Sequence, residues 1–234
     1  KNTMKVHSKI FKIFGALLLA VMLFAALPAG EVKAQTTIEY DYGKYYAEAL
    51  PSPALAISTD FYRGTGSWSS NGNVMEFYID PVAQLGLTGV TVDDVDSVVY
   101  RTKDDTAGGV DWGFYIYTKG AKYGWYEERL IFEPLYSISY DGNPADTWNT
   151  WNSAVGTNQI AFYDDHYSSM GFYFGPTLAD LKASPIDWST YESSATSTSI
   201  DYGAQEVKYF KFGTGSAWAS SFFGLLDAIE LTIS

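Results

Sequence analysis

Asp111-Trp112-Gly113-Phe114-Tyr115-Ile116-Tyr117-Thr118 alternates an apolar set, Trp112, Phe114 and Ile116, with a second set, Gly113, Tyr115 and Tyr117. Successive side chains of a strand point to opposite faces, so this spacing predicts a strand with one greasy face and one tyrosine face. The same period recurs where Met75, Phe77 and Ile79 oppose Glu76, Tyr78 and Asp80. Working outward, strands are predicted over residues 74–79, 97–103, 113–118, 129–135, 159–163, 171–174, 206–212 and 225–233. The glycines of Lys119-Gly120-Ala121-Lys122-Tyr123-Gly124 predict a hairpin connection that pairs the third and fourth of these. Helical signals are few. Thr91-Val92-Asp93-Asp94 has the form of a capped single turn, and residues 177–182 read as a short helix stopped before Pro185. The Ser- and Thr-rich stretch 188–199 reads as an exposed loop, and residues 36–58 form a tyrosine-rich lead-in to which no element is assigned.

Eight or more short strands in one chain predict an all-β domain. The expected architecture is a two-sheet β-sandwich, jelly-roll or concanavalin-like, with a closed β-barrel as the alternative. The abundance of tyrosine, 19 in 234 residues, and of glycine and serine supports twisted strands joined by tight turns.

Residues 1–34 have the layout of a cleavable signal peptide: Lys1, Lys5, Lys9 and Lys12, then an uncharged apolar run over 13–27, then small residues ending at Ala34. The run is shorter than the roughly 20 residues that span a bilayer, so removal rather than anchoring is expected. The domain boundaries are then 1–34 for the leader and 35–234 for a single β-sandwich domain, secreted or periplasmic. Beyond Ala34 the chain carries 10 basic and 26 acidic residues, a net charge of −16, because Lys1, Lys5, Lys9, Lys12, Lys33 and Glu31 fall in the leader. Such a surface repels phosphate backbones, which argues against nucleic acid as a partner. With no cysteine, the core must hold without disulfides.

The segment Leu130-Ile131-Phe132-Glu133-Pro134-Leu135-Tyr136, followed by Trp148-Asn149-Thr150-Trp151, resembles secreted bacterial β-sandwich proteins. The tail Phe222-Phe223-Gly224-Leu225-Leu226-Asp227-Ala228-Ile229-Glu230-Leu231 resembles the closing strand of jelly-roll carbohydrate-binding modules. That resemblance implies a polysaccharide or glycan partner. It also implies a structural Ca²⁺ to which the strand's aspartate contributes, and by position only Asp227 carries over.

The residues themselves offer chemistry of three kinds. An exposed aromatic can stack on the apolar face of a sugar ring while nearby polar groups take the hydroxyls. Trp148 and Trp151, in a polar Asp-Thr-Trp-Asn-Thr-Trp-Asn context, are the first expected platform, and Tyr115 with Tyr117 the second. Glycoside hydrolysis needs two facing carboxylates, and Glu76 with Glu133 is the pair the strands would supply. The glutamate motifs of jelly-roll xylanases and related cellulases are not found here. Asp227 is the expected metal residue, since an acid within an apolar strand needs a partner, either Ca²⁺ or a backbone hydrogen-bond network. A catalytic zinc is disfavoured because His166 is the sole histidine beyond the leader. The leading expectation is a secreted, non-catalytic carbohydrate-binding sandwich. A glycoside hydrolase and an extracellular structural or surface-interaction protein are the alternatives.

Overall fold

Alternating apolar residues form strands here because each ladder can bury one face and leave the other for polar and tyrosine side chains. The computed structural model of the chain describes residues 35–40, 56–70, 72, 75–105, 110–118, 128–134, 144–154, 158–164, 166–167, 175–214 and 222–234. The expected leader at 1–34, the hairpin connection expected at 119–124 and the strand expected at 171–174 lie outside these residues.

One antiparallel sheet consists of β4 (Glu76–Ile79), β11 (Val207–Gly213), β6 (Gly113–Thr118) and β7 (Glu128–Phe132), in that spatial order. The predicted pairing of 113–118 with 129–135 is the β6–β7 ladder. The second sheet orders β2 (Ala56–Ser58), β3 (Ser67–Ser69), β12 (Leu225–Ile233), β5 (Val95–Lys103) and β8 (Asn149–Asn152), and β1 (Thr36–Tyr40) also pairs with β12. A small ladder joins β9 (Ile186–Asp187) and β10 (Ser199–Ile200). Two short helices, α1 (Pro81–Leu85) and α2 (Leu178–Ala183), punctuate the strands. Thr177, read from sequence as the first residue of the helix, is instead the cap of α2, its hydroxyl accepting from the Asp180 N–H while the Asp180 carboxylate accepts from the Thr177 N–H. Thr91 and Asp94 close the same box around a single 3₁₀ turn.

The inner face of the first sheet is built of rungs. Phe77, Phe212, Phe114 and Phe132 stand opposite one another across its four strands, and Ile79, Phe210, Ile116 and Leu130 form the next rung. All eight are buried. The second sheet answers with Trp68, Tyr100 and Trp151. Trp68 packs 5.1 Å from Phe77, Tyr100 5.2 Å from Phe212, and Trp151 5.7 Å from Phe132. Each buried aromatic removes a large apolar area from water, and each ring pair adds about 0.5–1.5 kcal/mol. These cross-sheet contacts make the molecule a two-sheet sandwich of the jelly-roll kind, and the two ladders remain separate, so the barrel alternative is excluded.

The segment predicted as a strand over 159–163 is shared between the sheets instead. Ile160 N–H donates to the Asn152 carbonyl on the edge of one, whereas Tyr163 exchanges both backbone hydrogen bonds with Ile131 on the edge of the other. A chain turning that corner cannot run as one ladder.

Two expectations are corrected by burial. Trp188, read as part of an exposed loop, is 1 % exposed and donates its indole N–H to the Tyr202 hydroxyl at 3.0 Å. Trp151, expected to share a platform with Trp148, is a core residue at 1 % exposure. Strand parity turns Trp151 inward, and the Thr102 hydroxyl accepts its indole N–H at 2.7 Å, so the polar end of the ring needs no solvent.

Candidate functional site

The outward face of the β4-β11-β6-β7 sheet gathers most of the chemistry. Its central rung reads Tyr78, Lys211, Tyr115, Ile131 and, beyond β7, Tyr163. On one side lies the rung Tyr209, Tyr117, Arg129. On the other, Glu76 faces Gly213, which faces Gly113, and Glu133 follows β7 at the position that continues the register.

Four tyrosines make a continuous ladder. Tyr78 meets Tyr209 edge-on at 5.1 Å and 83°, Tyr209 lies 4.5 Å from Tyr117, and Tyr117 lies 6.5 Å from Tyr115. Tyr115 and Tyr117, expected as an exposed platform, are instead buried at 7 % exposure each and form only a floor, whereas Tyr78 and Tyr209 are half-buried and reach the surface. Lys211 holds its ammonium 3.9 Å from the Tyr115 ring centroid and 3.1 Å from Oε1 of Glu76. A cation over an aromatic face with a carboxylate beside it is fixed from two directions.

The two strand glycines explain how so much fits. A Cβ on Gly113 would lie 3.2 Å from Cε2 of Tyr115 and 3.0 Å from the Phe132 carbonyl oxygen, and one on Gly213 would lie 3.5 Å from Cε of Lys211. Their missing side chains leave room for Tyr115 and Lys211 to lean over the backbone toward Glu133 and Glu76.

The carboxylates differ in state. Burial pushes Glu76 up, but the Tyr78 hydroxyl, which donates to Oε2 at 2.8 Å, and the Lys211 ammonium outweigh it and hold the group below the usual carboxylate range. Burial dominates at Glu133 and raises it, although the hydroxyls of Tyr115 and Tyr163 donate to it. Burial beside Glu133 likewise raises the Tyr115 phenol, so it stays a hydrogen-bond donor through the neutral range. The expected carboxylate pair therefore shares one face, but on opposite edges of a four-stranded sheet. Three inter-strand steps of about 4.8 Å put their backbones about 14 Å apart, with Lys211 and Tyr115 between them.

Of the other expected residues, Trp148 is half-buried and stands just before β8 of the opposite sheet, where its ring meets Tyr62 at 6.0 Å. Asp227 is fully buried. Its Oδ2 accepts the backbone N–H groups of Tyr62 and Arg63 at 2.8 Å each, and its Oδ1 that of Ala228 at 2.7 Å. These amides form the backbone hydrogen-bond network that is the expected alternative to Ca²⁺ as a partner for this carboxylate. Tyr209, Lys211 and Tyr163 were not singled out from sequence. The alternation of Lys211 with Phe210 and Phe212 carries the signal for the first two, but nothing local marks Tyr163, which joins the face through a single bridge.

No family model and no curated protein matches the sequence. Among solved structures the chain is similar to the family 11 carbohydrate-binding module of a cellulosomal cellulase of Clostridium thermocellum, with 11% identity and a TM-score of 0.37 over 88% of this chain and 91% of that one. It is also similar to a family 11 module from Clostridium thermocellum in complex with a β-1,3-1,4-mixed-linked tetrasaccharide, at 12% identity, TM-score 0.35, covering 87% and 91% of the two chains. A protein of unknown function from Shewanella oneidensis MR-1 shows 12% identity and a TM-score of 0.37 over 91% and 92%.

Proposed function

We propose that this chain is a secreted, non-catalytic β-sandwich that binds polysaccharide on the tyrosine face of its four-stranded sheet. The observation that carries the reading is the ladder Tyr78-Tyr209-Tyr117-Tyr115 beside the fixed Lys211–Glu76 pair. Half-buried rings give a sugar its stacking surface, and phenols, carboxylates and one ammonium give its hydroxyls both donors and acceptors. A rigid, prearranged set of this kind loses little freedom on binding. Export rests on the leader at residues 1–34, and its check is the N-terminal residue of protein recovered from outside the cytoplasm, expected to be Gln35.

The test is titration of the domain from Gln35 onward with a panel of soluble polysaccharides, recording both binding and reducing ends released. Binding without release is expected, weakened at least tenfold, about 1.4 kcal/mol, by Tyr78→Ala combined with Tyr209→Ala. Unchanged affinity in that variant would remove the face from the reading.

A second reading has one observation in its favour. Glu76 is held ionised while Glu133 is shifted up, and a split of that sign is how a hydrolase separates its two carboxyl roles. Against it, the glycosidic bond would have to lie where Lys211 and Tyr115 already lean over Gly213 and Gly113. Release of reducing ends, lost in Glu133→Gln, would make this reading the correct one.

A further inference from the structure

The outward face of the other sheet carries an aromatic cluster that the tyrosine face does not explain. The loop between β2 and β3 lies over β12 and β5 and lifts Phe61 and Tyr62 into solvent at 43% and 49% exposure. Tyr62 meets the half-buried Trp148 edge-on, at 6.0 Å and 67°. Beneath Tyr62, the guanidinium carbon of Arg101 lies 5.0 Å from its ring centroid.

Considerable structure fixes this loop. The buried Asp227 takes the N–H groups of both Tyr62 and Arg63, and Lys103 pairs with Asp60 at 2.6 Å. Arg63 and Arg101 converge on Oε1 of Glu230 at 2.9 and 2.8 Å. Between Asp227 and Glu230 the β12–β5 register slips by one residue, and Ala228 sits there at φ 48°, a left-handed conformation that a residue with a Cβ adopts only at a cost. Strain spent on holding large apolar rings in water is the signature of a binding element rather than of a core.

The charges beneath the rings indicate what binds. Arg63 and Arg101 are both paired with Glu230, and Lys103 with Asp60. Cations already paired in this way leave an anion little to bind, and the acidic Asp105 and Asp146 nearby repel one, whereas rigid rings rimmed by fixed polar groups suit an uncharged, hydroxyl-rich ring.

We propose that Tyr62 and Trp148 form a second site for a neutral glycan, with Asp227 as the positioning residue that holds the Tyr62 backbone. Because the two sites lie on the outward faces of opposite sheets, one domain engages two chains at once and cross-links soluble polysaccharide. The cross-linking rests on the reading of the tyrosine face as a glycan site, whereas the Tyr62–Trp148 site itself does not.

The experiment titrates wild type, Tyr62→Ala with Trp148→Ala, and Tyr78→Ala with Tyr209→Ala against hexasaccharides of a neutral β-glucan, a xylan and a mannan. Stoichiometry is read by calorimetry, and cross-linking of each parent polymer by light scattering. Circular dichroism confirms the fold of each variant, and both residues changed on the second sheet reach solvent. Expected are two sugars per wild-type chain, one in each double variant, and scattering that only wild type produces. One sugar per wild-type chain, unaltered by Tyr62→Ala with Trp148→Ala, would overturn the inference and leave the tyrosine face standing. Binding abolished by Tyr62→Ala with Trp148→Ala but untouched by Tyr78→Ala with Tyr209→Ala would support the second site and remove the first. No binding to any probe would overturn both.

Discussion

Lys211 places its ammonium 3.9 Å from the ring centroid of Tyr115, its direct cross-strand partner. Against the upward push of burial, the Tyr78 hydroxyl and this same ammonium hold the Glu76 carboxyl below its usual range, so one buried cation touches both a ring and a carboxylate. Lys211→Met keeps the stem packing and removes the charge. The Glu76 carboxyl is then expected to titrate at higher pH, followed by carbon-detected NMR of that group, and stability to fall by about 1 kcal/mol. A Glu76 midpoint that does not move would show that Tyr78 and solvent alone set its state.

Glu133 carries the opposite shift. A carboxyl whose folded pKa lies above its unfolded one favours the native state at low pH, and that contribution is lost as pH rises through the folded pKa. Glu133→Gln removes the buried charge, so the variant is expected to melt above wild type at pH 7 and to lose that advantage below about pH 4, near the unfolded glutamate value. Melting curves across this range check it, and a wild type more stable than the variant at pH 7 would contradict the burial argument.

The glycine pair can be probed at Gly113. Its hypothetical Cβ is 3.0 Å from a backbone oxygen that cannot swing away, so Gly113→Ala must shift the strand or the Tyr115 ring. The cost is expected to be about 1–3 kcal/mol, in the range of other overpacking changes, with a loss of polysaccharide affinity. Denaturant unfolding and a binding titration separate the two effects.

Asp227 acts through amides in this structure. Asp227→Asn turns an acceptor into a donor facing other donors, which is expected to cost about 1–3 kcal/mol. The loss should be equal in calcium and in chelator. A loss confined to calcium-containing buffer would make Asp227 an ion ligand instead.

Sequence periodicity made the sandwich legible wherever a strand buries one face and exposes another. The parity of Met75, Phe77 and Ile79, and that of Trp112, Phe114 and Ile116, survives in the folded rungs, and Tyr78, Tyr115 and Tyr117 share the face that parity assigns them. The limits lie where burial is decided by distant partners. Trp148 and Trp151 have equally polar neighbours in sequence, yet Thr102 takes the indole N–H of Trp151 into the core while Trp148 stays half-exposed. That Asp227 needs a partner is readable from its apolar strand, but the amides of Tyr62 and Arg63 stand more than 160 residues away in the chain. The short strands Ser67–Ser69 and Asn149–Asn152 escape notice because their turn-like composition is overridden by pairing to β12 and β5. The facing of Gly113 and Gly213 is a matter of register that neither strand reveals alone.

The corner segment at residues 158–163 gives the sandwich a spine. Stitched to Asn152 on one sheet and to Ile131 on the other, it ties the layers along one long side, while among the described residues β4 at the far edge of its sheet has a ladder partner only in β11. Thermal opening should then proceed as a cover lifts from a book: amides along β4 exchange with solvent first and those of Ile131 and Tyr163 last. Tyr78 and Glu76 ride on the cover, so the face proposed to bind sugar is expected to loosen well before the domain as a whole unfolds.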